Sequence, residues 1–174
     1  MRTRTHDDTR HGTITLFAAL SYLDGKIFSQ TAARHTHQQW LAFLKQLDQD
    51  TPRDLALHLI LDNYATHKHL KVQSWIDRRN VRHRRQHGGD RIVLHFTPTA
   101  SSWLNLVERF FRDLTEDVVR EGSFASLREL VGAIEAYLAE HNLAPKRYVW
   151  SAQGEAILAK ILRARAALQQ QPVA

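Results

Sequence analysis

Two short apolar runs constrain this chain more than anything else in it. "LALHLIL" (55–61) and "IVLHF" (92–96) are bounded by polar residues and have the length of buried strands. Between them, Val72, Trp75 and Ile76 recur on one face of a stretch that reads as a helix from about Thr66 to Arg79. Strand, helix, strand is the pattern of a parallel crossover, and it makes the fold class α/β. Upstream, "TITLFAAL" (13–20) reads as a strand, and Asp24-Gly25 turns it into a second one at 26–31. Trp40, Leu41, Phe43, Leu44 and Leu47 follow at helical spacing behind Thr36, and Thr51-Pro52 ends that helix. Helices are expected at about 102–119, 126–140 and 152–168, with Ser126 and Glu129 forming a capping box for the second.

Composition narrows the class of partner. A formal net charge of +6 and a pI of about 10.0 favour an anionic partner. No apolar run approaches the roughly 20 residues of a membrane span, and "MRTRTHDDTRHG" is too polar for a secretory signal. The basic residues are not gathered on one amphipathic helix, so nucleic acid is preferred to a membrane surface. The absence of cysteine removes thiolate sites and agrees with a cytoplasmic location.

Two acids are placed where chemistry would need them. Asp62 directly follows a strand, at the end where open α/β sheets bind ligands. Taken alone, it reads first as a turn or capping residue before "NYATHK". Glu108 borders the stripe Leu104, Val107, Phe111, Leu114 and Val118, and it could equally be an exposed partner for Arg112. Together, carboxylates from successive strand ends can converge on one sheet edge. Convergence of two negative charges calls for a cation between them, and oxygen donors without sulfur select Mg2+ or Mn2+. Divalent ions held in this way serve phosphodiester cleavage.

The segment "RRNVRHRRQHGGDR" (78–91) reads as a basic loop. Arg78, Arg79, Arg82, Arg84, Arg85 and Arg91 stand there against a single Asp and are expected to meet phosphates without reading bases. A solvated loop is the other reading, and the two are compatible. The histidines show no HExxH pattern and are mostly assigned to the surface; His67, one helical turn from Asp62, is the exception.

The stretches "HGTITLFAALSYLDGKI", "LILDNYATHKHLKVQSWI", "LHFTPTASSWLNLVERFF" and "NLAPKRYVWSAQGEAILAKI" together resemble the catalytic domain of bacterial insertion-sequence transposases of the mariner-like superfamily. The resemblance implies an Asp-Asp-Glu (DDE) enzyme on a ribonuclease-H-like fold, a mixed sheet flanked by helices, over 13–168. A polar segment (1–12) would precede it and a disordered tail (169–174) would follow. By position Asp62 matches the second catalytic Asp and Glu108 the final Glu, both metal ligands. Asn63 and His67 match polar neighbours of the Asp, while Pro98, Ser102, Trp103 and Asn105 match the segment that presents the Glu. The implied activity is Mg2+-dependent cleavage at transposon ends and joining to target DNA, typically at a TA step. A homodimer or a full-length transposase would be the protein partner, and the location would be the bacterial cytoplasm at the nucleoid.

Two departures shape the expectation. The family's first catalytic Asp lies on a central strand that should precede "HGTITLFAAL", and neither Asp7, Asp8 nor Asp24 matches it. The chain is therefore expected to lack that strand, to be catalytically incomplete, or to act as a DNA-binding or oligomerising remnant. A basic α/β domain with no site is the remaining alternative. The spacing from Asp62 to Glu108 also exceeds the family habit, and the excess falls in the Arg-rich segment.

Overall fold

A computed structural model describes residues 12–97 and 106–149. Strands β1 (Thr15–Leu20) and β2 (Ile27–Ala32) form an antiparallel hairpin, with Thr15 opposite Ala32 and Leu20 opposite Ile27. Gly25 is required at its turn for two reasons. Its φ is 78°, and a Cβ there would lie 2.8 Å from the carbonyl oxygen of Lys146. Helix α1 (His37–Asp50) starts at Thr36, whose hydroxyl accepts from the Gln39 N–H at 3.3 Å. It ends where the Thr51 hydroxyl donates to the Leu47 carbonyl, one residue before Pro52.

Strands β3 (Leu57–Leu61) and β4 (Ile92–Phe96) pair in parallel, with Leu57 opposite Ile92 and Leu61 opposite Phe96. A 3₁₀ turn (Ala65–Lys68) and helix α2 (Leu70–His87) make the crossover. The sequence-based loop at 78–91 is corrected here, because α2 runs on through the Arg-rich stretch to a left-handed cap at Gly88 (φ 82°). Val72, Ile76, Asn80 and His83 form its buried stripe. Polar residues occupy the last two positions, so the helical period is hidden from a search for apolar ones. Asn80 is buried because it acts as a strand partner. Its amide donates to the Ile92 carbonyl (2.9 Å), and its oxygen accepts from the N–H groups of Arg91 (3.0 Å) and Ile92 (2.9 Å).

Arg91 is likewise a core residue. It is 1% exposed, and its Nε donates to the Asp48 carboxylate at 2.7 Å. Its two Nη groups donate to the carbonyls of Asp48, Thr51, Pro52 and Leu55. The guanidinium closes the carboxyl end of α1 against the start of β4, and no donor is left to face a phosphate.

Helix α3 (Val107–Leu114) continues into a π-helical turn (Thr115–Arg120), and α4 (Leu127–Leu143) follows. The expected cap is present in a shifted form: Ser126 accepts from the Glu129 N–H (3.2 Å), and Glu129 accepts from the Ala125 N–H (2.9 Å), one residue before the cap. The expected helix at 152–168 and the tail at 169–174 lie outside the described residues, as does nearly all of the segment 1–12.

The hairpin sits between two helical layers, as its alternation dictates. Phe17 joins Trp40, Phe43, Leu44, Leu47, Val72, Ile76 and Ile92 on one side. Ile27 joins Leu106, Phe110, Leu114, Val118, Ile134 and Leu138 on the other. Leu57, Leu59, Leu61 and Leu94 pack on the first of these cores. The result is mixed α/β, with small sheets flanked by helices. Among the described residues the hairpin and the parallel pair are two separate two-stranded sheets.

Candidate active site

Asp62 stands at the carboxyl end of β3, and its side chain is 52% exposed. Its Oδ1 accepts from the Tyr64 N–H at 3.3 Å, so the turn reading of this residue is physically correct. The same oxygen lies 3.1 Å from Nδ1 of His67, which also reaches the Asp62 carbonyl at 3.3 Å. His67 is buried against Trp40, with ring centroids 4.6 Å apart. Burial lowers its pKa, the Asp62 carbonyl and carboxylate oppose that, and His35 adds to the lowering. The ring is thus a neutral donor at pH 7. It steadies Asp62 on one side, while half of the acid's side chain stays open to solvent.

Asn63 ties the two strand ends together. Its amide donates to the Thr97 carbonyl at 2.8 Å, and the Thr97 N–H donates to the Leu61 carbonyl at 2.7 Å. His35 is a neighbour that sequence reasoning missed. It packs edge-on to Phe17 (4.8 Å), lies 4.7 Å from the Tyr64 ring, and has Nε2 3.2 Å from the Thr66 hydroxyl. Nothing in its own stretch, "ARHTH", singles it out, because only the fold brings it beside Tyr64.

Glu108 lies in the first turn of α3, on the exposed side. It borders a shallow cavity of about 260 Å³ with Phe111, Arg112, Thr115, Glu116 and Arg120. Among the described residues it forms no ion pair, so the exposed Glu108–Arg112 bridge allowed by the sequence is not made. Pro98, Ser102, Trp103 and Asn105 lie outside the described residues. Among the described residues, no three His, Asp or Glu side chains converge as a metal cluster. Asp62 and Glu108 are each of the donor type that suits a hard cation, a carboxylate without sulfur, and no contact between the two is made among the described residues.

The six arginines divide sharply. Arg91 is buried, Arg79 donates to Asp48 at 2.7 Å, and Arg84 pairs with Asp90 at 2.8 Å. Arg78, Arg82 and Arg85 are exposed and form no ion pair among the described residues. Arg78 and Arg82 line, with Trp75 of the same helix, one wall of a groove of about 350 Å³, and Lys45, Gln49 and Arg53 line the other.

Residues 1–131 match the family model described as DDE superfamily endonuclease. This chain belongs to that family. It is also 26% identical, over 123 residues, to the insertion element IS630 uncharacterized 39 kDa protein of Shigella sonnei. That match takes in 71% of this chain and 33% of the relative, so the chain spans about a third of the length of the curated protein it matches. Among solved structures, the catalytic core domain of BIV integrase aligns with a TM-score of 0.49 and 19% identity, over 94% of this chain and 95% of that one. No helix among the described residues is long and apolar enough to cross a membrane.

Proposed function

We propose that this DDE-family chain is the catalytic portion of a mariner-like insertion-sequence transposase, with DNA as its substrate and Asp62 and Glu108 as two of its metal-binding acids. The carrying observation is Asp62 itself: an acid at a parallel strand's carboxyl end, held by a buried neutral histidine and half open to solvent. Mg2+ or Mn2+, when bound, polarises a phosphodiester and lowers the pKa of the attacking water. The chain's own residues hold and orient. His67 fixes one Asp62 oxygen, Asn63 locks the β3 and β4 ends together, and Glu108 presents a second carboxylate from the first turn of a helix. A third acid, on a strand between the hairpin and the parallel pair, would complete the site; both sheets pack on the same helical layer, and neither pairs with a further strand among the described residues.

Phosphate contact falls to the α1–α2 surface. Arg78, Arg82, Arg85, Lys45 and Arg53 are its exposed cations, and Trp75 lines the groove between them. Target DNA with a TA step, and a second copy or full-length transposase as partner, belong to the same reading.

Cleavage of a labelled duplex in Mg2+ tests it. The chain alone should bind DNA and leave it uncut. A version extended at its amino end by an acid-bearing strand should cut, and Asp62→Ala or Glu108→Ala should each abolish that cutting. Robust cleavage by the chain alone would overturn the incompleteness. Cutting that survives Asp62→Ala in the extended protein would remove Asp62 from the site.

A further inference from the structure

The inner face of the parallel pair packs on the core through Leu57, Leu59, Leu61 and Leu94. Its outer face is open: Ile60 is 49% exposed, and His58 and His95 are both exposed. In the parallel register His58 lies opposite Val93 and His95 opposite Ile60, so the two histidines are diagonal neighbours on one face. Their rings lean toward each other until Nδ1 of His58 is 3.0 Å from Nε2 of His95, with ring planes 21° apart. Water could satisfy each exposed ring separately. Instead the pair aims two imidazole nitrogens at each other across two adjacent strands.

We propose that His58 and His95 form a two-histidine site for an imidazole-seeking divalent transition ion, Zn2+, Ni2+ or Cu2+, bridging β3 and β4. Metal–nitrogen bonds of about 2.0–2.1 Å place two ligand nitrogens roughly 2.9 Å apart at a right angle and roughly 3.4 Å apart at the tetrahedral angle. The observed 3.0 Å lies in that range. Without metal, one ring donates N–H to the other's lone pair. On binding, the shared proton moves to the donor ring's other nitrogen, and both rings turn so that their lone pairs converge on an ion beside the line that joins the two nitrogens. Water fills the remaining positions, since no third His, Asp or Glu joins the pair among the described residues. The pair and the acids therefore prefer different ions: imidazole takes borderline metals, and carboxylate takes Mg2+ or Mn2+. An ion at the pair would clamp the strand that ends at Asp62 to the strand that leads toward Glu108.

The test is calorimetric titration of the whole chain with Ni2+ and with Zn2+, beside His58→Ala, His95→Ala, a control His87→Ala, and the Asp62→Ala/Glu108→Ala double variant. Wild type, the control and the acid double variant should each bind one equivalent alike. Each pair variant should lose at least about tenfold in affinity, and excess Mg2+ should not displace the ion. Thermal melts should rise with Ni2+ in wild type and stay level in His58→Ala and His95→Ala. Binding that survives both pair variants would place the ion on other histidines and overturn the site. Binding lost only in the acid double variant would assign it to the carboxylates, and the proposal would fall.

Discussion

Asp48 and Asp62 lie at opposite ends of the same parallel pair, and they are treated in opposite ways. Asp48, at the amino end, is 6% exposed and receives Arg91 and Arg79 at 2.7 Å each. Asp62, at the carboxyl end, keeps half its side chain in water and has, among the described residues, one backbone N–H and one neutral histidine for partners. A carboxylate closed in by two guanidiniums has no capacity left to bind anything else. One half open to water beside a fixed neighbour does. The difference separates an acid consumed by the fold from an acid left half open to water, and residue type alone would not have revealed it.

Removing the first should have the largest effect. Asp48→Ala leaves the Arg91 charge buried and uncompensated, and losing one member of such a pair costs about 3–5 kcal/mol. Urea unfolding followed by circular dichroism should show that loss. A change below about 1 kcal/mol would mean that the carbonyls around Arg91 suffice without the carboxylate, and the contrast with Asp62 would weaken.

The same contrast explains what the sequence showed and what it hid. The hairpin was legible because Asp24-Gly25 sits between two β-branched runs, and both parallel strands because they are short, apolar and bounded. Asp62 was legible because a strand ends just before it. Asp48 was not, since "KQLDQDTP" looks like any polar helix end. Arg91 looked like one more arginine in a basic run, and only its position directly before β4 marks it as different. The end of α2 was misread because Asn80 and His83 carry on its buried stripe in polar form. Glu108 was found at the edge of an apolar stripe, and it lies exposed in the first turn of α3.

A smaller effect is expected from a third kind of acid, held by phenols on the other helical layer. Tyr148 donates to Asp113 at 2.8 Å and Tyr137 to Asp117 at 3.0 Å. Burial, then the hydrogen bond to Asp117, pushes Tyr137 up to about 12, and burial with Asp113 raises Tyr148 as well. These phenols stay protonated in the fold at a pH where the unfolded chain, with tyrosines near 10, has begun to release protons. The unfolded state then binds fewer protons than the native one, so stability present below pH 10 should fall as the pH climbs from about 10 toward 12. Tyr137→Phe and Tyr148→Phe should each flatten that slope and lower stability at neutral pH by about 1 kcal/mol. An unchanged alkaline limb in the double variant would show that other groups set it.

The smallest effect on stability should come from Asp62→Ala, and it is the sharpest test of the comparison. The substitution removes one exposed acceptor from the Tyr64 N–H and one partner of His67, which keeps the Asp62 carbonyl at 3.3 Å. Half-exposed pairs of this kind contribute less than about 1 kcal/mol. The deleted side chain makes no part of either core, so no cavity is left behind. Unfolding of Asp62→Ala should therefore nearly overlay wild type under the conditions in which Asp48→Ala has lost several kcal/mol, while cleavage by the extended protein is abolished. If the two substitutions cost the same, Asp62 is a fold residue like Asp48, and the acid at the strand end would have to be sought elsewhere.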